Sequence, residues 1–185
     1  MVIPESIIPY GIKLIFFDFD DTLFVHYAAH RFGDDDEVMR AILSEEAILS
    51  GSGYRVYENL GVANPLLKRF VEEDAKNIDK MCITWVADSI MLPAKKQWLD
   101  KYYPGLISDV VGTRSPSRKI QTMRLIAESR KLRPSECLII DDKYDTVAQA
   151  IEAGYRGMTT VEVMTRKYYQ DMIKSAPKKE KEPLP

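Results

Sequence analysis

The amino-acid sequence predicts an α/β protein in three layers, with a central parallel sheet of about five strands and a small helical cap insertion. Two observations predict this class: short apolar runs recur along the chain, and amphipathic helical patterns separate them. Parallel strands need such crossover helices, because both faces of a parallel sheet must be covered. The length of 185 residues favours one domain that buries a core without metal or disulfide staples.

The first strand is predicted in residues 12–19, IKLIFFDF, which are almost wholly apolar and rich in Ile and Phe. Similar short runs complete the predicted sheet, in residues 81–86, in residues 109–111 after Ile107, in residues 137–140 and in residues 157–163. Helices are predicted where apolar residues recur at helical spacing, after Asn64-Pro65, after Pro93, in residues 120–126 and in residues 147–154.

The alternation is interrupted once, by about forty residues between the first strand and Asn64 that contain no clear strand. We therefore expect residues 1–24 and 62–175 to form the core and residues 25–61 to form the cap. A last helix is expected to dock onto the sheet through Tyr168, Tyr169 and Met172. Residues 176–185 are charged and rich in Pro, which predicts a disordered tail.

The composition excludes several functional classes. With 26 basic and 28 acidic residues, the net charge of −2 gives no field that would attract a nucleic-acid polymer. No apolar run reaches the roughly 18–20 residues of a membrane span, and residues 1–10 lack the basic start of a signal peptide. Cys82 and Cys137 lie inside apolar runs, which indicates buried thiols and a cytoplasmic location. The oligomeric state is left open.

Acidic residues directly follow two of the predicted strands. Asp18 and Asp20 end the first run, and Asp141-Asp142 end the fourth. Ligands of open parallel sheets bind at the carboxyl ends of the strands, where carboxylates are costly to desolvate unless a cation compensates them. Mg²⁺ binds through carboxylates, waters and phosphate oxygens. The simplest physical interpretation is a magnesium-dependent phosphate site.

The spacing of Asp18 and Asp20 allows the two carboxylates to take different roles in one reaction. Residues i and i+2 of an extended segment point the same way. One carboxylate can then attack phosphorus, while the other moves protons for the leaving group and for water. Thr84, near the end of the second run, can hydrogen-bond a phosphoryl oxygen, and a lysine can neutralise the phosphoryl charge.

These residues resemble the four motifs of the haloacid dehalogenase-like superfamily, whose core is Rossmann-like. Residues 18–23, DFDDTL, are similar to the first motif, Thr84 to the second, Lys119 to the third and residues 139–142, IIDD, to the fourth in its paired-Asp form. The motifs occur in the expected order over about residues 12–154.

The resemblance implies a magnesium-dependent phosphatase that acts on a small phosphorylated substrate. It implies an aspartyl-phosphate on Asp18, acid–base action by Asp20, and a phosphoryl group held by Thr84 and Lys119. The Mg²⁺ ligands would be Asp18, the backbone carbonyl of Asp20, and either Asp141 or Asp142.

Three nearby basic residues, Lys95, Lys96 and Arg118, compete with Lys119 for this role. Lys95 and Lys96 lie in a predicted helix, with Asp100 four residues beyond Lys96, so we expect both on an exposed helix face.

Asp145 follows Asp142 on the first turn of a predicted helix. In one interpretation, its negative charge stabilises the start of that helix. In the other, it hydrogen-bonds either the waters of the metal or Lys119 without binding the metal itself. Both interpretations stand.

Three further hypotheses for the function remain open. Residues 96–104, 111–114 and 138–143 are similar to stretches of the 5'(3')-deoxyribonucleotidases, which makes nucleoside monophosphates candidate substrates. Those enzymes usually have Gly and Val at the positions of Asp21 and Thr22. A phosphotransferase or mutase of the same superfamily would use the same residues. A phospho-accepting receiver domain also clusters Asp, Thr and Lys around Mg²⁺, but its acceptor Asp follows the third strand, where this chain has Val-Gly-Thr.

Overall fold

The computed structural model describes residues 6–26, 50–86 and 90–175. The strands are β1 Leu14–Phe17, β2 Phe24–His26, β3 Gly61–Ala63, β4 Asp79–Trp85, β5 Asp109–Thr113, β6 Cys137–Asp141 and β7 Arg156–Thr159. The helices are α1 Tyr54–Leu60, α2 Pro65–Glu73, α3 Met91–Tyr102, α4 Lys119–Ser129, α5 Tyr144–Glu152 and α6 Thr160–Ser175. The predicted tail and most of the predicted cap lie outside the described residues.

Five of the strands form one parallel sheet in the order β5-β4-β1-β6-β7, which confirms the predicted architecture. The direction in which the sheet grows reverses at β1, and ligands of such sheets bind at the carboxyl edge beside the reversal. Counted along the chain within this sheet, the order is 3-2-1-4-5. Receiver domains have the order 2-1-3-4-5, so the receiver hypothesis is wrong for this fold.

The central strand β1 is buried on both faces, and all four of its residues are fully inaccessible to solvent. Ile15 and Phe17 belong to one hydrophobic cluster, and Leu14 and Phe16 belong to another, as the two-residue period of a strand requires. The first cluster is completed by α1, α2, α3 and α6, through Val56, Leu67, Trp98 and Val163. The second is completed by α4 and α5, through Met123, Ala127 and Ala150. The three predicted layers are therefore present.

The last strand is shorter than predicted. Residues 157–163 are expected to be extended, but β7 ends at Thr159 and α6 begins at Thr160. The backbone N–H of Glu162 donates to Oγ1 of Thr159 over 3.1 Å, which satisfies one of the free donors at the helix start. A local hydrogen bond therefore marks the end of the strand inside the predicted run.

Helix α6 docks through residues other than those expected. Tyr168, Tyr169 and Met172 are 53%, 47% and 50% exposed, so the prediction that they face the sheet is wrong. The helix instead buries Val163 and Lys167. The Lys167 ammonium pairs with Asp74 at 2.7 Å and with Glu73, both at the end of α2. An ion pair and an apolar contact together hold this helix.

The predicted insertion begins and ends in an antiparallel ribbon. Strands β2 and β3 pair so that Phe24 lies opposite Ala63. Helix α1, which the sequence assigns to the cap, packs against α3 and buries Val56 and Tyr57 in the main core. Residues 27–49 are outside the described part of the chain, so the boundaries of the cap remain a prediction.

Cys82 and Cys137 are both free and buried, as predicted. Within the described ranges, no helix has the length and apolar character that crossing a bilayer requires.

Candidate active site

Asp18 lies directly after the central strand, at the carboxyl edge of the sheet. Its backbone N–H donates to the carbonyl of Ile140 in β6 over 2.9 Å, and the residue is only 7% exposed. Phe19 is fully buried against the rings of Tyr57 and Trp98. The side chain of Asp20, next along the chain, is 37% exposed. The loop therefore presents one sequestered carboxylate and one that solvent reaches.

One backbone angle and two hydrogen bonds define the conformation of this loop. Asp21 has a φ of 52°, in the left-handed region that Asp tolerates better than most residues. Oγ1 of Thr22 lies 2.8 Å from Oγ1 of Thr160, at the start of α6. The Asn64 side chain donates to the carbonyl of Thr22 over 3.1 Å and accepts the N–H of Leu67 over 3.2 Å. The residue that caps α2 therefore also anchors the loop.

Lys119 reaches the same point from the start of α4. Its Nζ donates to Oδ1 of Asp18 and to Oδ2 of Asp141, both over 2.7 Å. Burial acts against its charge, but these two carboxylates raise the pKa of Lys119 above its ordinary value. An ammonium has three donors, and two of them are used by described residues. The third is available to a phosphoryl oxygen.

The paired acidic residues after β6 differ in their surroundings. Asp141 is fully buried, and its Oδ1 accepts the N–H of Lys143 over 2.9 Å while its Oδ2 accepts from Lys119. In the described part of the chain, Oδ1 of Asp142 is buried and has no hydrogen-bond partner. Burial first, and then the charge of Asp141, raise the pKa of Asp142. Asp142 therefore carries a carboxylate oxygen that needs a partner.

Three carboxylates offer a set of metal ligands. One oxygen each of Asp18, Asp141 and Asp142 lie within 4.8 Å of one another. Their mutual repulsion is unfavourable, and so is the burial of an Asp142 oxygen without a hydrogen-bond partner. A hard divalent cation would offset both effects. The residues present therefore fit the predicted Mg²⁺. The carboxylate of Asp20 is outside this group, so its expected contribution through the backbone carbonyl remains a prediction.

The carboxyl group of Asp18 is strongly perturbed. Burial is the largest cause and raises its pKa to about 7, while Lys119 acts in the opposite direction and Asp141 and Asp20 raise it further. A carboxylate must be ionised to act as a nucleophile, and a neighbouring cation favours the ionised form. A metal bound by the acidic group would therefore favour the ionised form of Asp18, which is the form that a nucleophile needs.

Thr84 lies in β4 opposite Gly112 of β5 and is fully buried. Its Oγ1 is 2.7 Å from Nζ of Lys95, which also donates to Oδ2 of Asp20 over 2.6 Å. The expectation that Lys95 lies on an exposed face is wrong, since its side chain is completely buried. Lys96 and Arg118 are both exposed, so neither takes the place of Lys119 among the acidic residues.

A sequence signal for Lys95 exists in the helical spacing of α3. The buried residues of this helix are Met91, Ala94, Lys95, Trp98 and Leu99, so Lys95 lies within the apolar stripe. The charge spacing between Lys96 and Asp100 describes the opposite, exposed face. A lysine inside an apolar stripe indicates a buried partner.

Asp145 is exposed on the first turn of α5 and is outside the acidic group of the candidate metal site. Among the described residues, the carboxylates that pair with Lys119 are those of Asp18 and Asp141. The placement of Asp145 favours the helix-start interpretation, and a role in holding waters of the metal remains a prediction.

No protein-family model matches the sequence, and the comparison with curated proteins gave no match. Solved structures do match the fold. A haloacid dehalogenase-like hydrolase from Xanthomonas campestris has a TM-score of 0.54 at 14% identity, over 80% of each chain. One from Streptococcus pneumoniae has a TM-score of 0.51 at 14% identity, over 84% of this chain and 91% of that chain. An enzyme of the same family from Bacteroides thetaiotaomicron, in complex with magnesium and inorganic phosphate, has a TM-score of 0.52 at 12% identity, over 80% and 94%.

Proposed function

We propose that this chain, which has the fold of the haloacid dehalogenase-like hydrolases, is a magnesium-dependent phosphatase that acts through an aspartyl-phosphate on Asp18. The observation that carries the proposal is the convergence of Asp18, Asp141, Asp142 and Lys119 at one point of the carboxyl edge. A fold alone does not determine an activity, so the proposal rests on this arrangement of side chains.

Mg²⁺ would be held by Asp18, Asp142 and the backbone carbonyl of Asp20. The geometry favours Asp142 over Asp141 as the direct ligand, because both oxygens of Asp141 already accept hydrogen bonds while Oδ1 of Asp142 has no described partner. When bound, the cation neutralises negative charge on the phosphoryl oxygens and on the attacking carboxylate. Asp141 would position Lys119.

The chain's own residues carry the two chemical steps. Lys119 and Thr84 hold the phosphoryl oxygens. An oxygen of Asp18 attacks phosphorus, and the leaving oxygen departs with a proton from Asp20. The Asp20 carboxylate then takes a proton from water, which attacks the phosphorus of the aspartyl-phosphate and releases inorganic phosphate and Asp18. The partial exposure of Asp20 supports both roles, because it must reach substrate and water.

The substrate is proposed to be a small phosphorylated molecule, and nucleoside monophosphates remain one candidate class. Two residues of the stretch that resembles deoxyribonucleotidases, Trp98 and Tyr103, are 0% and 1% exposed. Both belong to the main hydrophobic cluster, so they contribute to the packing of the core. Transfer to an alcohol instead of water would use the same side chains, so the acceptor must be measured.

The test is hydrolysis of p-nitrophenyl phosphate by the purified chain, with Mg²⁺ and with EDTA. We expect activity that needs Mg²⁺, that is abolished in Asp18→Asn and that is unchanged in Asp100→Asn, an exposed residue of α3. Full activity of Asp18→Asn, or activity that EDTA does not reduce, would contradict the proposal. A screen of phosphorylated metabolites that includes deoxynucleoside monophosphates, run with and without an added alcohol, then identifies substrate and acceptor.

A further inference from the structure

Lys95 is a fully buried cation that the mechanism above does not use. Its Nζ donates to Oδ2 of Asp20 over 2.6 Å, to Oγ1 of Thr84 over 2.7 Å and to the carbonyl of Trp85 over 3.2 Å. It also lies 4.7 Å from the centroid of the Phe19 ring. One ammonium therefore joins the side chain assigned to proton transfer to a side chain assigned to phosphate binding.

The hydrogen bonds of Lys95 argue against direct binding of the phosphoryl group. An ammonium has three donors and no acceptor. All three donors of Lys95 have partners, whereas Lys119 uses two among the described residues. Lys95 would have to break an existing bond to reach a substrate. It is therefore placed to act through its neighbours.

The contact with Thr84 determines the direction of its hydroxyl. An oxygen that accepts from an ammonium must point its own hydrogen elsewhere. In the structure that hydrogen has the carbonyl of Trp85 as acceptor, over 3.2 Å. A charged phosphoryl oxygen is a stronger acceptor than this carbonyl. Lys95 thus makes Thr84 a donor toward the phosphate.

The contact with Asp20 restrains a carboxylate that is otherwise partly solvated. Lys95 holds Oδ2, which leaves Oδ1 for the leaving oxygen and for water. A general acid must lie within hydrogen-bond reach of the oxygen that it protonates, and a fixed rotamer supplies that geometry.

We propose that Lys95 is a positioning residue for phosphoryl transfer, which orients the Asp20 carboxyl toward the leaving oxygen and the Thr84 hydroxyl toward the phosphoryl group. The inference rests on the proposed function. Lys167 provides a structural comparison, because it is also fully buried and ion-paired but contacts Glu73 and Asp74 at the end of α2.

The first test compares Lys95→Met with Lys96→Met, the same change at a buried and an exposed position of one helix. Two substrates are used: p-nitrophenyl phosphate, whose leaving group departs without a proton, and glycerol phosphate, whose leaving group requires one. Because general acid catalysis contributes roughly 10²–10⁴-fold, we expect Lys95→Met to slow the first turnover of glycerol phosphate by about 10²-fold or more. The loss on p-nitrophenyl phosphate should be much smaller, and Lys96→Met should match the wild type on both. Equal losses on the two substrates, or no loss, would overturn the inference.

A double-mutant cycle tests whether Lys95 acts through Asp20. In an Asp20→Asn background, Lys95→Met should no longer slow glycerol phosphate more than p-nitrophenyl phosphate, because the proton donor is already absent. A selective loss that persists in this background would overturn the inference.

A measurement on the wild-type chain keeps the inference testable if Lys95→Met does not fold. The ammonium signals of Lys95 and Lys167 are followed by ¹⁵N nuclear magnetic resonance while Mg²⁺ and inorganic phosphate are added. We expect the Lys95 signal to shift and the Lys167 signal to stay. An unmoved Lys95 signal would overturn the inference. A wild-type chain without phosphatase activity would overturn the proposed function itself, and the inference with it.

Discussion

The burial of Asp18 should make the stability of the metal-free protein depend on pH. Burial raises the pKa of this carboxyl from 3.8 to about 7. Between these two values the unfolded chain ionises the group while the folded chain keeps it protonated. The stability that this group contributes is therefore lost as the pH rises from about 4 to about 7, and its contribution does not change further above that range.

The size of the effect follows from the pKa difference. Each pKa unit corresponds to about 1.4 kcal/mol, so a shift of roughly three units is worth about 4 kcal/mol. About 2.5 kcal/mol of this falls between about pH 5 and pH 8. In a chain of this length, 1 kcal/mol changes Tm by about 2–4 °C, so the expected change is about 5–10 °C.

The assay is thermal unfolding in EDTA over this pH range, for the wild type and for Asp18→Asn. The Tm of the wild type relative to Asp18→Asn should fall as the pH rises and then level off above about pH 7. The control Asp100→Asn, at an exposed position, should follow the wild type. In a parallel series with Mg²⁺ in place of EDTA, the cation should stabilise the wild type more at the high end of the range, because it binds the ionised carboxylate. A difference between wild type and Asp18→Asn that does not change with pH would refute the reasoning.

Three further substitutions test other parts of the site. Asp20→Asn should slow glycerol phosphate hydrolysis by about 10²–10⁴-fold, because it removes the proton donor. The Mg²⁺ affinity measured by calorimetry should stay near that of the wild type, because the Asp20 carboxylate is outside the metal group. A large loss of Mg²⁺ affinity would contradict this. Lys119→Met should lower kcat/KM by about 10²-fold or more in steady-state assays, and a loss below about tenfold would contradict its assigned contact with the phosphoryl group. Asn64→Ala removes the cap of α2 and the hydrogen bond that anchors the loop after β1. Urea denaturation should therefore show that the free energy of unfolding falls by about 1–2 kcal/mol, and kcat should also fall. Unchanged stability would argue against both contacts.

The sheet and the acidic residues at its edge could be predicted because they depend on local patterns. A buried parallel strand is an apolar run, and the carboxyl ends of such strands share one edge. That rule places Asp18 beside Asp141, although the two residues are 123 positions apart in the sequence. In the structure, the ammonium of Lys119 pairs with both carboxylates.

Lys95 and Lys167 could not be placed by charge patterning, because their partners come from distant parts of the chain. Asp20 precedes Lys95 by 75 positions, and Glu73 precedes Lys167 by 94. Helical spacing identifies the face on which each lysine lies, but not whether that face meets acceptors. The exposure of Tyr168 and Tyr169 also depends on distant partners. The helix face that meets them buries Val163 and Lys167, and both tyrosine rings therefore point outward.

The boundary between β7 and α6 was not predicted correctly, for a different reason. The predicted run of residues 157–163 continues across the change of structure, and the side-chain hydrogen bond at Thr159 marks the helix start. A threonine is common in strands and at helix starts, so its identity alone does not distinguish them.

The central claim is that Asp18 becomes phosphorylated during turnover. The direct measurement is rapid acid quenching of the first turnover with p-nitrophenyl phosphate and Mg²⁺, followed by peptide mapping of the bound phosphate. The account predicts a transient phosphoryl group on Asp18, present in up to one equivalent per chain and absent in Asp18→Asn. Inorganic phosphate that forms without any covalent phosphoprotein, or a phosphoryl group on another residue, would contradict it.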